Sequence, residues 1–395
     1  MVTTAIEMYR QISYTIYRYD YLTINKKGNI MAGSSFGNIF KITTWGESHG
    51  KALGVVIDGV PAGLSLSETD IQPYMDRRAP GRNAISTPRK EADEVEILSG
   101  IFEGKTTGTP ISIMVRNTSQ HSADYSAISQ IYRPGHADYT FDAKYGFRDY
   151  RGGGRSSGRE TLCRVAAGAV AAKVLQELGI KITAYTKSIG PVTIDPANFD
   201  ANLITTTPTC MPDAEADAKA MEYLSTVREN MDSAGGVIEC QITGMPVGVG
   251  DPVFEKLSAN LAKAVMSIGA MKAIEFGDGT NVANANASTN NDPFEMKGGK
   301  VVKASNHSGG VLGGMSDGDT IILRSYVKPT PSIFQTQNTV NKDGENVEIN
   351  IAGRHDPIIV PRAVVVVESM CAITILDALM MNMSAKMDSL TKFYS

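Results

Sequence analysis

The chain has 395 residues, 42% apolar and 20% charged, with a net charge of −4. That is the composition of a globular protein with one large domain or two ordinary ones, and its acidity argues against a molecule drawn as a whole to nucleic acid or to an anionic membrane. The cysteines, Cys163, Cys210, Cys240 and Cys371, lie far apart with no CxxC pair, so structural zinc and a disulfide framework are not expected and the chain reads as reduced and cytoplasmic.

Residues 1–30 are rich in tyrosine and isoleucine and lack the apolar core and small-residue cleavage site of a signal peptide. They read as a flexible extension; patterned text begins at Met31, giving one domain over 31–395. "NIFKITTWG" and "LGVVIDGV" predict strands. "SLSETDIQPYMDRRAPG" predicts a short helix with Ser67 as N-cap and Gly81 past its end, and "TPISIMVRN" a strand. "RETLCRVAAGAVAAKVLQELGI" predicts a strong helix closed by Gly179, with a strand over 181–188. "PDAEADAKAMEYLSTVRENMD" predicts an amphipathic helix whose acidic first turn suits the helix dipole. "GGVIECQITGMP" reads as a strand, "DPVFEKLSANLAKAVMSIGAM" as a helix, 277–314 as a glycine- and asparagine-rich loop, and "TIILRSYV" as a strand. The apolar run 363–381 carries Glu368 and Asp377, and predicts a buried helix opened by Pro361 rather than a membrane span.

Two blocks, "GVVIDGVPAGLSLSETDIQPYMDR" and "GVIECQITGMPVGVGDPVFEKLSAN", share the order strand, G-x-P, loop, helix, which suggests an internal duplication. The fold class expected is α+β with large sheets, its long glycine-rich loops serving as functional surfaces.

The stretch "FRDYRGGGRSSGRETLCR" sets five arginines against Asp149 and Glu160. No lysine follows the glycines as a Walker A loop requires, and Gly152, Gly154 and Gly158 miss the spacing of a dinucleotide fingerprint. A generic anion device remains, in which backbone N–H groups and the Ser156 and Ser157 hydroxyls take a phosphate. Arg155 and Arg159, four apart, would share a face if the helix had begun. Guanidinium groups grip phosphate and carboxylate bidentately. A second basic cluster comprises Arg77, Arg78, Arg82, Arg89 and Lys90, and a third anion-friendly loop Lys328, Thr330 and Ser332. Together they suggest one or two ligands with several negative charges.

The five histidines are His49, His121, His136, His307 and His355. None pairs at the spacing of a helical metal site, so zinc is not expected. His49 and His136 sit in tight glycine-containing turns beside candidate ligand groups, which suits general acid work. In "GRHDP", Arg354 and Asp356 would point the same way in an extended segment, either as a plain ion pair or as an anion holder beside a base.

"GESHGKALGVVIDGVP", "GRSSGRETLCRVAAGAV" and "RHDP…VVVVES" resemble the three signature segments of chorismate synthase, and "RPGHADYT", "EILSGIFEGKTTGTPI", "SNHSGGVLGG" and "KPTPS" match in order, from about Met31 to about Met381. The resemblance implies a β-α-β sandwich with an internal pseudo-repeat, a homotetramer, and conversion of 5-enolpyruvylshikimate 3-phosphate to chorismate by 1,4-anti elimination of phosphate. It also implies reduced FMN without net oxidation, with NADP associated with the family. An external flavin reductant is expected, since no separate nicotinamide-binding fingerprint is seen.

By the same resemblance His49 is the general acid, His136 keeps the flavin in its proper protonation state, and Asp356 acts in removing the C6 proton. Arg78, Arg133, Arg159 and Arg354 match the positions holding substrate anions. Arg155, Ser156, Ser157, Gly269, Ala270, Gly313, Lys328, Pro329, Thr330, Pro331 and Ser332 match those holding FMN, with Arg354 touching both. The chain departs from the common pattern at Ala84, where an arginine is usual; Arg82 could reach the same anion. A module that only binds phosphorylated ligands or RNA, and a NAD-linked oxidoreductase, are the competing readings. Overall acidity and the lack of aromatics between the arginines count against RNA, and the absent fingerprint against NAD.

Overall fold

The computed structural model describes residues 33–79, 93–117, 127–350 and 357–395. The first hairpin, β1 (Lys41–Gly46) and β2 (Ala52–Asp58), leads into helix α1 (Glu68–Arg78). Ser67 ends the extended backbone there, its N–H donating to Asp70 Oδ2 at 2.8 Å, and Gly81 lies outside the described residues. Strands β3 (Glu96–Ile97) and β4 (Ile111–Arg116) complete the sheet, in the antiparallel order β1-β2-β4-β3. A short helix, α2 (Asp138–Tyr145), and the long α3 (Thr161–Glu177) follow. Gly179 closes α3 at φ 74°, where the Ile180 N–H reaches back to Leu175 O at 3.0 Å.

The second half repeats this plan. β5 (Lys181–Ile189), β6 (Gly236–Thr243), β7 (Met271–Phe276) and β8 (Ile321–Val327) pair antiparallel in the order β5-β6-β8-β7. Between β5 and β6 comes the surface helix α4 (Ala214–Glu229); α5 (Leu257–Met266) follows β6 and α6 (Val360–Asn382) follows β8. Apart from the additions α2 and α4 and a short outer strand on each sheet, Ser35–Phe36 and Val192–Thr193, each half is strand, strand, helix, strand, strand, helix, with one strand order.

The duplication reaches single hydrogen bonds. In the first half Thr106 Oγ1 donates to Pro61 O at 2.6 Å and accepts from Leu64 N at 2.9 Å. In the second, Ser316 Oγ donates to Pro246 O at 2.5 Å and accepts from Val249 N at 3.0 Å. These are the prolines of the two G-x-P turns, so the suspected duplication is physical.

Helices α3 and α6 pack on each other between the sheets, α3 against β2 and α6 against β5 and β6. Alternation puts Leu53, Val55 and Ile57 of β2, and Ile321, Leu323 and Val327 of β8, on the buried face. Where the helices cross, a Cβ on Gly168 would stand 2.2 Å from the Ser369 Cβ, which is why glycine sits mid-helix.

Helix α6 has the length and apolarity of a membrane span, yet it is buried inside the fold. Its two acids are paired. Glu368 takes both Arg77 Nη atoms at 2.8 Å, and Asp377 accepts the N–H groups of Asn38, Ile39 and Phe40 at 2.9, 2.7 and 3.0 Å. Stripped of its partners, such a carboxylate would cost ~3–5 kcal/mol, against ~1.5–3 kcal/mol contributed by each buried valine.

The structure differs from the sequence reading in places. The helix expected over 251–271 is only Leu257–Met266, and "MKAIEF" is the edge strand β7. Ala270 turns to φ 72°, a conformation no helix continues through. The 277–314 loop contains a hairpin, Phe294–Lys297 with Lys300–Lys303, and another joins Thr336–Val340 to Asn346–Asn350.

Candidate active site

In the chain, 117–160 and 328–359 occupy equivalent positions in the repeat, between a fourth strand and a buried helix. The structure joins them. Tyr132 N donates to Val340 O at 3.1 Å, and Lys342 N to Gln130 O at 2.8 Å.

The glycine-arginine stretch does not yet belong to α3. It forms two short 3₁₀ turns, Gly154–Ser156 and Gly158–Glu160, separated by extended Ser157 at ψ 143°. Arg155 and Arg159 consequently share no helical face, which corrects that expectation. Arg155 turns to β1, donating to Thr44 O and Gly46 O at 3.1 Å each and to Thr44 Oγ1 at 2.6 Å. Arg159 turns the other way, to Asn117 Oδ1 at 2.6 Å and Asp93 Oδ1 at 2.9 Å. The Ser156 hydroxyl donates to Gly153 O at 2.7 Å, and Ser157 Oγ accepts from Arg159 N at 3.2 Å.

His49 sits in the β1–β2 turn with Nδ1 3.2 Å from Ser48 Oγ, and its ring lies flush on Gly152. A Cβ at Gly152 would fall 2.4 Å from His49 Cε1 and Nδ1. Asp149 belongs to the same loop; its hydrogen bond from Arg151 holds the carboxyl below its ordinary range, with a smaller pull from His49.

Arg133 grips Asp138 with Nε and Nη2, both at 2.8 Å. Burial raises the Asp138 carboxyl, but that guanidinium outweighs it and holds it low. His136 Nδ1 is 2.9 Å from Pro134 O, a pure acceptor, so Nδ1 carries the proton and Nε2 receives the Ser332 hydroxyl at 3.0 Å. Burial, then the Arg133 charge, pushes the His136 pKa below its usual value and favours the neutral ring. Lys328 Nζ donates to Gly135 O at 2.9 Å, and Pro331 lies against Gly135. Burial also lowers the Lys328 pKa. In this loop the Thr330 Oγ1 is buried with no hydrogen-bond partner among the described residues.

The two histidine clusters are contiguous. A Cβ at Gly269 would stand 4.0 Å from Ser156 O, and Ala270 O accepts from Lys328 N at 3.0 Å. So His49, Arg155, Ser156, Ser157, Arg159, Gly269, Ala270, Lys328, Pro331, Ser332, His136 and Arg133 lie along one run of contacts. Gly313 lies in the turn between the paired strands Val311–Leu312 and Met315–Ser316. Its hairpin docks at the first turn of α5, where Gly314 O accepts from Leu257 N at 2.8 Å, while Gly269 lies past the last turn. Ten residues of helix make that separation about 15 Å along the axis.

Arg78 is buried, with Nη1 on Asp93 Oδ2 at 2.5 Å, so one carboxylate joins Arg78 to Arg159. Arg354, His355 and Asp356 lie outside the described residues, as do Arg82, Ala84, Arg89, Lys90 and His121. His307 is bound to Asp278 at 2.7 Å in a different loop. Among the described residues no group of three or more His, Cys, Asp or Glu is arranged for a metal ion. A pocket of about 220 Å³ beside the start of α6, lined by Arg77, Cys210, Pro361 and Arg362, involves neither histidine, and its Arg77 is bound to Glu368.

Sequence reasoning missed Asp93, Asn117 and Asp138, the groups that orient the arginines. Asp138 lay inside a noted motif; Asp93 in a charged run and Asn117 at a strand end carried no local signal.

A family model described as chorismate synthase matches residues 40–380. The chorismate synthase of Agathobacter rectalis is 66% identical over 364 residues, covering 92% of this chain and 99% of that protein. That of Lachnoclostridium phytofermentans is 62% identical, covering 92% and 100%. That of Methanosarcina barkeri is 53% identical, covering 88% and 96%. A solved structure titled "Crystal Structure of Chorismate Synthase" superposes with a TM-score of 0.71 at 31% identity, covering 91% of this chain and 97% of that one.

Proposed function

The chain belongs to the chorismate synthase family and is a carbon–oxygen lyase; on that premise we propose that it converts 5-enolpyruvylshikimate 3-phosphate to chorismate and phosphate by 1,4-anti elimination, with reduced FMN required and not consumed. The reading includes a cytoplasmic homotetramer of the shikimate pathway, its flavin reduced from outside, with residues 31–395 as the catalytic domain and 1–30 as a leader. The observation that carries it is the single run of contacts linking His49, the arginines and His136.

In this reading His49 protonates the departing phosphate, and Arg159, Arg78 and Arg133 hold the substrate's anionic groups. Arg354, which touches both ligands, and Asp356, which takes the C6 proton, complete the set.

Reduced FMN fits the residues present. The Thr330 hydroxyl is buried with no hydrogen-bond partner among the described residues, and Lys328 and Arg155 supply donors for a phosphate-bearing molecule. When bound, it would supply an electron-rich ring that feeds the breaking C–O bond and takes the density back. His136, neutral with its proton on Nδ1, offers Nε2 toward the loop and can hold or release a proton there. An anionic partner would raise its pKa again.

The test is anaerobic phosphate release with dithionite-reduced FMN, on wild type and on His49→Ala, His136→Ala and Asp356→Ala. Each variant is expected to lose ~10²–10⁴-fold in rate. Wild-type speed in Asp356→Ala would remove the assigned proton acceptor.

A further inference from the structure

Asn117 ends β4 and uses every polar atom of its amide. Its Nδ2 donates to Glu47 O at 3.1 Å and to Gly50 O at 2.8 Å, the two carbonyls that bracket Ser48 and His49. Its Oδ1 accepts Arg159 Nε at 2.6 Å, and its backbone N–H donates to Lys51 O at 3.1 Å. The amide orientation is dictated by chemistry: carbonyls only accept and a guanidinium only donates. Arg159 continues to Asp93, and Asp93 to Arg78.

We propose that Asn117 is a positioning residue that sets the placement of His49 and the direction of Arg159 together, so that proton donor and anion holder keep a fixed separation. This rests on the reading above, in which His49 protonates the leaving phosphate and Arg159 binds the substrate. Within the Glu47–Gly50 turn, Gly50 N donates to Glu47 O at 3.0 Å. The Asn117 amide adds two bonds from outside the turn, one to each end of it. The charged groups facing this turn are Asp149 with its Arg151, and the turn's own Glu47, while the His49 ring itself lies against Gly152.

Two substitutions separate the roles. Asn117→Asp keeps an acceptor for Arg159 and loses both donors to the turn, whereas Asn117→Ala loses both ends. Asn117→Asp should lower kcat ~10²-fold, the effect of a misplacement of about 1 Å, with KM within about threefold of wild type. Asn117→Ala should show a similar kcat and a KM raised ~10-fold, as one oriented hydrogen bond to substrate is lost. In a His49→Ala background, Asn117→Asp should cost less than ~2-fold further in kcat, because the group it positions is gone. In parallel, imidazole resonances of the ligand-free protein are followed through a pH titration. In both Asn117 variants the His49 signal should shift and broaden while that of His136 stays in place. The resonance arm needs no turnover, so it stands even if the elimination assay fails on wild type. A full ~10²-fold loss persisting in the His49→Ala background, or a His49 titration identical to wild type in both variants, would overturn the proposal.

Discussion

Replacing Gly152 by alanine is the sharpest perturbation the site offers. The new methyl would lie 2.4 Å from His49 Cε1 and Nδ1 and 2.9 Å from Ser48 Oγ, where ordinary contact begins at 3.4 Å. The imidazole must therefore withdraw by about 1 Å, which by the usual sensitivity of positioned groups costs ~10² in kcat, or about 2.7 kcal/mol. Folding should hardly notice. What moves is the end of a side chain, the Gly152 φ lies outside the left-handed region, and alanine reduces unfolded-state freedom by ~0.4–1 kcal/mol. Gly158→Ala is the matched control, since nothing lies within 4 Å of a Cβ there. Initial-rate phosphate release under anaerobic conditions, with thermal unfolding of the same samples, reads both quantities. Wild-type kcat in Gly152→Ala, or equal losses in both variants, would refute the placement of His49 against the glycine run.

Asp93→Ala removes the carboxylate shared by the buried Arg78 and the half-buried Arg159, so the urea midpoint should fall by the equivalent of ~3–5 kcal/mol, checked by circular dichroism. Thr330→Val removes a buried hydroxyl that has no partner among the described residues; the ligand-free protein should gain up to ~1–3 kcal/mol in stability while FMN affinity drops, measured by denaturation and by anaerobic flavin titration. His136 has a folded pKa below its unfolded value of ~6.5. Between those values the unfolded chain binds the extra proton, so stability present above about pH 6.5 is lost as pH falls through the folded value. His136→Gln should flatten that part of the stability-against-pH curve, and an unchanged curve would count against the buried, neutral ring.

Where local periodicity and backbone chemistry decide, the sequence was readable. Gly179 closes α3 because left-handed backbone is needed there, and the paired Glu368 and Asp377 mark α6 as a core helix despite its apolarity. The duplication was visible as two G-x-P turns because those prolines anchor the same hydrogen bond in each half. Legibility ended where distance along the chain takes over. Arg155 and Arg159 part because one meets Thr44 and the other Asp93, more than sixty residues away in each case. The strand Met271–Phe276 hid behind a helix because Lys272 and Glu275 blur a six-residue alternation at a sheet edge. The Gly313 hairpin serves α5 as the Glu103–Gly104 turn serves α1, a second trace of the duplication that no local pattern announces.

One experiment weighs the central claim, that two histidine turns and an oriented set of guanidinium groups hold a phosphorylated dicarboxylate against a reduced flavin for elimination. Purified protein is mixed without oxygen with the enolpyruvyl phosphate substrate and substoichiometric reduced FMN, and phosphate and flavin absorbance are recorded together. Many phosphates released per flavin, with the flavin still reduced at the end, is the expected result. Release of one phosphate for each flavin oxidised, or no release at all, would contradict it.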